Sequence, residues 1–156
     1  MARISLKVNG RTRTIEADPK MPLLYALRNN LALKNPRFGC GLAQCGACTV
    51  LLDNQPIRSC SFPTLAARGH EVVTLEGIGT PQHPHPIQKA WIAEEAMQCG
   101  YCINGWIMSA KALLDRNPNP SDSEIRQAFA GLICRCGAQT AMFRAVRRAS
   151  QEMREA

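Results

Sequence analysis

Ile4, Leu6 and Val8 alternate with Ser5 and Lys7, the period of a strand with one buried face. Asn9-Gly10 follows, a pair that tolerates the left-handed conformation of a two-residue hairpin turn. Arg11 to Ile15 is therefore expected to return beside the first strand. The period then changes. Pro22 suits the first turn of a helix, and Leu23, Leu24, Leu27 and Leu31 fall on one helical face. Pro36 excludes helix just before Phe38. Thr49 to Leu52 has strand composition, Asp53-Asn54-Gln55-Pro56 reads as a turn, and Ile57 to Cys60 as the return. Thr64 to Ala67 suits a short helix, and Val72, Val73 and Leu75 a last strand.

Gly77 to Pro86, GIGTPQHPHP, holds three prolines and two glycines, which marks a linker. Helical spacing takes over after it. Ile87, Ala90, Trp91 and Ile92 follow Pro86. A second helix is expected from about Cys99 to Asp115, with Ile103, Trp106, Ile107, Ala110, Leu113 and Leu114 facing inward. Asn117-Pro118-Asn119-Pro120 ends it. Ser121 with Glu124 forms a capping box for a third helix carrying Ile125, Phe129 and Leu132. A fourth runs from about Thr140 through Met142, Val146, Ala149 and Met153. The fold class is α+β: a strand-rich domain over residues 1–77, a linker at 78–86, and a small helical bundle over 87–156.

A chain of 156 residues split this way leaves each half small for a self-sufficient core, so metal staples would help. No run of about 20 apolar residues exists to span a membrane. The N-terminus lacks the apolar stretch and cleavage site of a signal peptide, which points to the cytoplasm and against a disulfide framework for the eight cysteines. The formal charge of +7 first suggests a polyanionic partner. Thiolate-bound clusters would offset much of it, and the few aromatics are not interleaved with the basic residues as a single-strand platform requires. No nucleic-acid partner is expected.

Cys40, Cys45 and Cys48 are spaced Cys-x4-Cys-x2-Cys among Gly39, Gly41 and Gly46, with Cys60 one hairpin further on. This is plant-type ferredoxin spacing for a 2Fe–2S cluster. A second set pairs Cys99 and Cys102 (QCGYC) with Cys134 and Cys136 (CRC). Four thiolates there suit zinc or iron–sulfur, and spacing alone does not choose.

In sequence order, GCGLAQCGACTVLLD, Cys60, HPIQKAWI, QCGYC and CRCG resemble the iron–sulfur subunit of the molybdenum hydroxylases, the xanthine dehydrogenase and aldehyde oxidoreductase family. The wording is closest to the small subunits of the isoquinoline 1-oxidoreductase and nicotinate dehydrogenase types. The resemblance implies a plant-ferredoxin-like β-grasp domain followed by a four-helix domain, and two 2Fe–2S clusters. Cys40, Cys45, Cys48 and Cys60 would hold the outer one; Cys99, Cys102, Cys134 and Cys136 would hold the inner one. Gln98 and Cys136 would approach a molybdopterin, of the cytosine dinucleotide type, on a separate large subunit. The reaction implied is hydroxylation of an N-heteroaromatic compound or an aldehyde on that partner. Electrons would leave through this chain to a cytochrome c or flavin acceptor subunit. The family commonly carries Asn before the residue preceding the CRC pair, and Tyr two residues after CRCG; Leu132 and Gln139 stand there instead.

No catalytic group of the substrate step is expected on this chain. His83-Pro84-His85 reads as a polar loop pair, and His70 stands alone. Gly77-Ile78-Gly79 lacks the third glycine of a dinucleotide fingerprint. Arg144, Arg147, Arg148 and Arg154 read as a solvated face of the last helix. A free-standing ferredoxin would account for residues 1–77 but leave the second thiol set idle. A zinc-stabilised basic binding module is the third alternative.

Overall fold

The computed structural model describes residues 1–155. Strands β1 (Ala2–Val8) and β2 (Arg11–Ala17) form the expected hairpin. Asn9 and Gly10 take φ of 51° and 74°, the left-handed pair that matches strand twist. Strands β3 (Thr49–Leu52), β4 (Gln55–Arg58) and β5 (Glu71–Val73) complete one sheet in the order β2-β1-β5-β3-β4. The β1–β5 pair is parallel and the others antiparallel. The second turn is tighter than its sequence suggests. Asp53 and Asn54 alone adopt positive φ, and Pro56 lies within β4. That strand is a sheet edge, where a missing N–H is tolerated.

The first helical segment runs over the length its leucine pattern implies but is not α throughout. α1 is a single turn (Leu23–Tyr25) that widens into a π-type turn over Ala26–Asn30. Asn29 and Asn30 are poor helix formers. Leu23, Leu24 and Leu27 are buried all the same, and Leu31 is half-buried. Leu75 is buried too, but it opens a 3-10 turn (Leu75–Gly77) rather than extending β5.

Helices α2 (Pro86–Ala93), α3 (Ile103–Arg116), α4 (Asp122–Ala128) and α5 (Gln139–Glu155) follow. Pro86 is the first residue of α2, and His85 with Gln88 closes a capping box on it. Ser121 and Glu124 do the same for α4. α3 starts later than periodicity suggests: Gly100 takes φ of 75°, incompatible with helix, so Cys99 to Cys102 form a turn ahead of it. Among the described residues no helix is long and apolar enough to cross a membrane.

Two cores meet at β3. Val50 joins Ile4, Leu6, Leu23, Leu27 and Val72 on one face of the sheet. Leu51 points to the other face, with Trp106, Met108, Leu114 and Met142. A strand covered on both faces explains the unbroken apolar run Val50-Leu51-Leu52. α3 is enclosed equally well: every residue from Asn104 to Ala110 is buried. Phe129 packs edge-on against Trp106 and Phe143, with centroids 4.6 and 5.4 Å apart.

α3 lies close against the loop before β3. A Cβ at Gly105 would fall on the Gly46 carbonyl oxygen, a backbone atom that cannot swing away. Replacing an interior helical glycine by alanine ordinarily stabilises by about 1 kcal/mol. Here overpacking reverses the sign. Gly105→Ala should lower unfolding free energy by about 1–3 kcal/mol in denaturant titrations; an unchanged or raised midpoint would contradict the close approach.

Candidate metal centres

The first thiol site is built from a loop wrapped around its own sulfur atoms. Gly41, Ala43 and Gly46 take φ of 69°, 59° and 81°, which folds the chain back within a few residues. Backbone N–H groups of Leu42, Gln44 and Cys45 consequently point at Cys40 Sγ, at 3.3, 3.2 and 3.3 Å. The Cys40 N–H donates to Cys45 Sγ at 3.4 Å. Gly39 leaves room for that sulfur: a Cβ there would lie 2.6 Å from Cys45 Sγ. Cys48 leads into β3, and its carbonyl accepts the Ser59 hydroxyl at 2.6 Å. That bond draws Cys60 in, and the Cys48 and Cys60 thiols touch in a buried cluster with Leu24.

The second site is assembled from two turns at helix ends. Cys99 sits on the turn made by Gly100, and Cys102 immediately precedes α3. Cys134 and Cys136 lie on the turn before α5. The Cys99 thiol meets that of Cys136, and the Cys102 thiol meets that of Cys134. Each site thus has a shallow and a deeper pair. Cys40 and Cys45 are half-buried over buried Cys48 and Cys60; exposed Cys99 and half-buried Cys136 lie over half-buried Cys102 and buried Cys134.

The protonation balance follows this geometry. The N–H of Cys45, then that of Leu42, bring the Cys40 thiol down to about 6. Burial pushes Cys48 up to about 11 and Cys102 up to about 12, with the facing thiols of Cys60 and Cys134 adding to it. Cys99 is lowered, first by the Tyr101 N–H and then by contact with Cys136. Burial is the largest single influence on Cys134 and raises it. The N–H groups of Ala138, Cys136 and Gly137, with the Cys102 thiol, outweigh burial and leave Cys134 lowered.

Among the described residues no three His, Cys, Asp or Glu side chains converge as a site for one ion. The thiols close two and two. Two facing thiol pairs, surrounded by N–H donors, suit a cluster of two irons with two ligands each, with sulfide filling the remaining coordination positions.

The two sites abut. The Ile133 N–H donates to the Cys45 carbonyl at 3.1 Å, so the residue before Cys134 is bonded directly to a cysteine of the first site. The Asn104 side-chain amide, buried, donates to the carbonyls of Ala47 and Thr49, both at 2.9 Å. Leu132 lies against Gly46, where an added Cβ would collide with it. A cavity of about 170 Å³ between the sites is lined by Cys45, Cys99, Cys102, Tyr101, Ile133 and Arg135, among others.

Gln98 is exposed beside Cys99. Gln139 donates from Nε2 to the Cys134 carbonyl at 3.3 Å, and Leu132 supplies packing rather than a polar contact. Arg144 and Arg148 pair with Glu94, and Arg147 with Asp122; Arg154 bonds the Ser150 carbonyl. His70 faces Asp53 and lies apart from both thiol sites. Asn104 and Arg37, whose guanidinium donates to the Gly100 carbonyl, are not evident from the sequence: nothing in Cys-Ile-Asn-Gly or Pro-Arg-Phe marks a side chain that crosses to the other half.

Two family models match. A "2Fe-2S iron-sulfur cluster binding domain" covers residues 6–71, and a "[2Fe-2S] binding domain" covers 74–147. The chain is 53% identical to one of the subunits of nicotinate dehydrogenase from Pseudomonas putida, over 97% of both chains. It is 45% identical to the alpha subunit of isoquinoline 1-oxidoreductase from Brevundimonas diminuta, over 96% of this chain and 98% of that one. Among solved structures, quinoline 2-oxidoreductase from Pseudomonas putida 86 superposes with a TM-score of 0.92 at 32% identity, over 99% of this chain and 97% of the matched chain. Aldehyde oxidoreductase from Desulfovibrio desulfuricans superposes with a TM-score of 0.95 at 43% identity, covering 99% of this chain but 17% of that longer one.

Thiolate, not thiol, is the nucleophile. In the metal-free chain at pH 7, alkylation should therefore label Cys40 well before Cys48 or Cys102, read by peptide mass spectrometry. Equal labelling of the three would contradict the N–H cradle at Cys40.

Proposed function

This chain belongs to the iron–sulfur small subunits of the molybdenum hydroxylase family, and on that premise we propose that it carries electrons singly from a molybdopterin centre on a large partner subunit to an external acceptor. The proposed ligands of one 2Fe–2S cluster are Cys40, Cys45, Cys48 and Cys60; those of the other are Cys99, Cys102, Cys134 and Cys136. When bound, these clusters supply one-electron redox chemistry. The observation that carries the reading is the pairwise closure of eight thiols into two N–H-lined sites joined by the Ile133–Cys45 backbone bond.

The chain's own residues have separable tasks. The N–H groups of Leu42, Gln44 and Cys45 stabilise charge at Cys40, and those of Ala138, Cys136 and Gly137 at Cys134. Gly39 keeps the space beside Cys45 clear. Asn104 and Leu132 hold the two sites in contact. Residues 1–77 are proposed as the ferredoxin-like domain, 78–86 as the linker and 87–156 as the helical domain.

Exposed Gln98 and Cys99, with half-buried Cys136, are proposed to face the large subunit, with Gln98 and Cys136 toward its pterin, of the cytosine dinucleotide type. The loop tip Leu42-Ala43-Gln44 is exposed and is proposed to face the acceptor, a cytochrome c or flavin subunit. The names of the relatives favour an N-heteroaromatic substrate over an aldehyde. The cytoplasm is the proposed compartment.

The purified protein should carry about four iron and four acid-labile sulfide per chain, with two distinct 2Fe–2S resonances on reduction. One zinc without labile sulfide would refute the assignment. In the complex, Cys45→Ser should impair turnover with the acceptor yet leave substrate reduction of molybdenum intact, as followed by rapid-mixing spectra. Loss of molybdenum reduction in a folded complex would reverse the proposed direction.

A further inference from the structure

Arg37 belongs to the sheet half of the chain but spends its side chain on the helical half. Its backbone N–H donates to the Ala47 carbonyl at 3.1 Å, which fixes it to the first thiol loop. Its guanidinium donates to the Gly100 carbonyl at 2.6 Å, inside the Cys99–Cys102 turn. The same group lies 5.3 Å from the Tyr101 ring centroid, a cation–π geometry. The Tyr101 hydroxyl in turn donates to the Phe38 carbonyl, beside Arg37. The cation is therefore clamped in place from several directions. Among the described residues no carboxylate pairs with it, unlike Arg144, Arg147 and Arg148, which pair with Glu94, Asp122 and Glu152.

We propose that Arg37 is an electrostatic tuning residue, a fixed cation that makes the cluster of the second thiol site easier to reduce. The inference rests on the proposed ligand set, Cys99, Cys102, Cys134 and Cys136. Adding an electron makes such a site more negative, and a nearby unpaired cation favours that state. The Arg37 guanidinium is held one residue from Cys99 by its bond to the Gly100 carbonyl. Arg135, exposed between Cys134 and Cys136, adds a cation from the site's own turn. Arg37 differs because it comes from the other half, so docking of the two halves itself delivers the charge. In function, it would help the second site accept electrons from the large partner.

The test is a redox titration of the holo-protein as purified, with each cluster followed by its own electron paramagnetic resonance signal. Arg37→Gln keeps a donor for Gly100 but removes the charge; Arg37→Lys keeps the charge on a different frame. In Arg37→Gln, the ratio of reduced to oxidised second cluster at a fixed potential should fall by about two- to fivefold, the scale of one partly screened charge. The first cluster should move less, and Arg37→Lys should recover most of the shift. Unchanged potentials in Arg37→Gln, equal shifts at both clusters, or a Lys variant matching Gln would overturn the inference while leaving the ligand assignment intact. Loss of the second signal from both variants would make Arg37 a structural clamp and also overturn it. A wild-type protein with no second cluster signal would refute the ligand assignment, and the inference with it.

Discussion

The structure depends on how closely the start of α3 can lie against the loop that enters β3. Gly105 permits a backbone-to-backbone approach to Gly46 that a single methyl group would prevent, and Gly46 in turn leaves room for Leu132. Asn104 uses that proximity to bond two carbonyls on either side of Cys48. Cys102 ends the turn before α3 and Cys48 leads into the strand, so this one junction fixes the position of a cysteine from each set. The hydrophobic cores reinforce it. Val50 and Leu51 are adjacent in sequence yet anchor opposite faces, so the sheet and the helices cannot shift apart without exposing one of them.

Around that junction the chain solves the same chemical problem twice. Thiolates are costly to bury without partners. At Cys40 the solution is a loop with left-handed residues that turns its amides inward. At Cys134 it is the turn leading into α5, whose amides face the sulfur. N–H donors lower Cys40 and Cys134, whereas burial raises Cys48 and Cys102. Metal charge inverts such local balances and deprotonates coordinating thiols. Arg37 carries this logic across the junction, since its backbone belongs to one site and its charge to the other.

Much of this was legible in the residues. Alternation at Ile4-Leu6-Val8, the Asn9-Gly10 turn, and the Ser121–Glu124 box each encode their structure locally. The cysteine spacings, with the residues that flank them, point to the family on their own. What was not legible depends on long-range geometry. The leucines after Pro22 keep a helical period although only the first turn is α-helical and the rest π-type, because periodicity reports burial rather than hydrogen-bond pattern. Cys99 fits a helical period too, yet Gly100 in the left-handed region places it ahead of α3. The roles of Arg37 and Asn104 lie in contacts about sixty residues away along the chain, and no local pattern encodes such a pairing. Leu132 packs against Gly46, another contact that no local pattern encodes.

The central claim is that the two proposed clusters sit on one rigid junction, near enough to sense each other. Low-temperature electron paramagnetic resonance of the fully reduced holo-protein tests it directly. Mutual broadening or splitting of the two 2Fe–2S signals is expected, and it should disappear when partial reduction leaves only one cluster paramagnetic. Two sharp signals that simply add, with no interaction at full reduction, would contradict the claim.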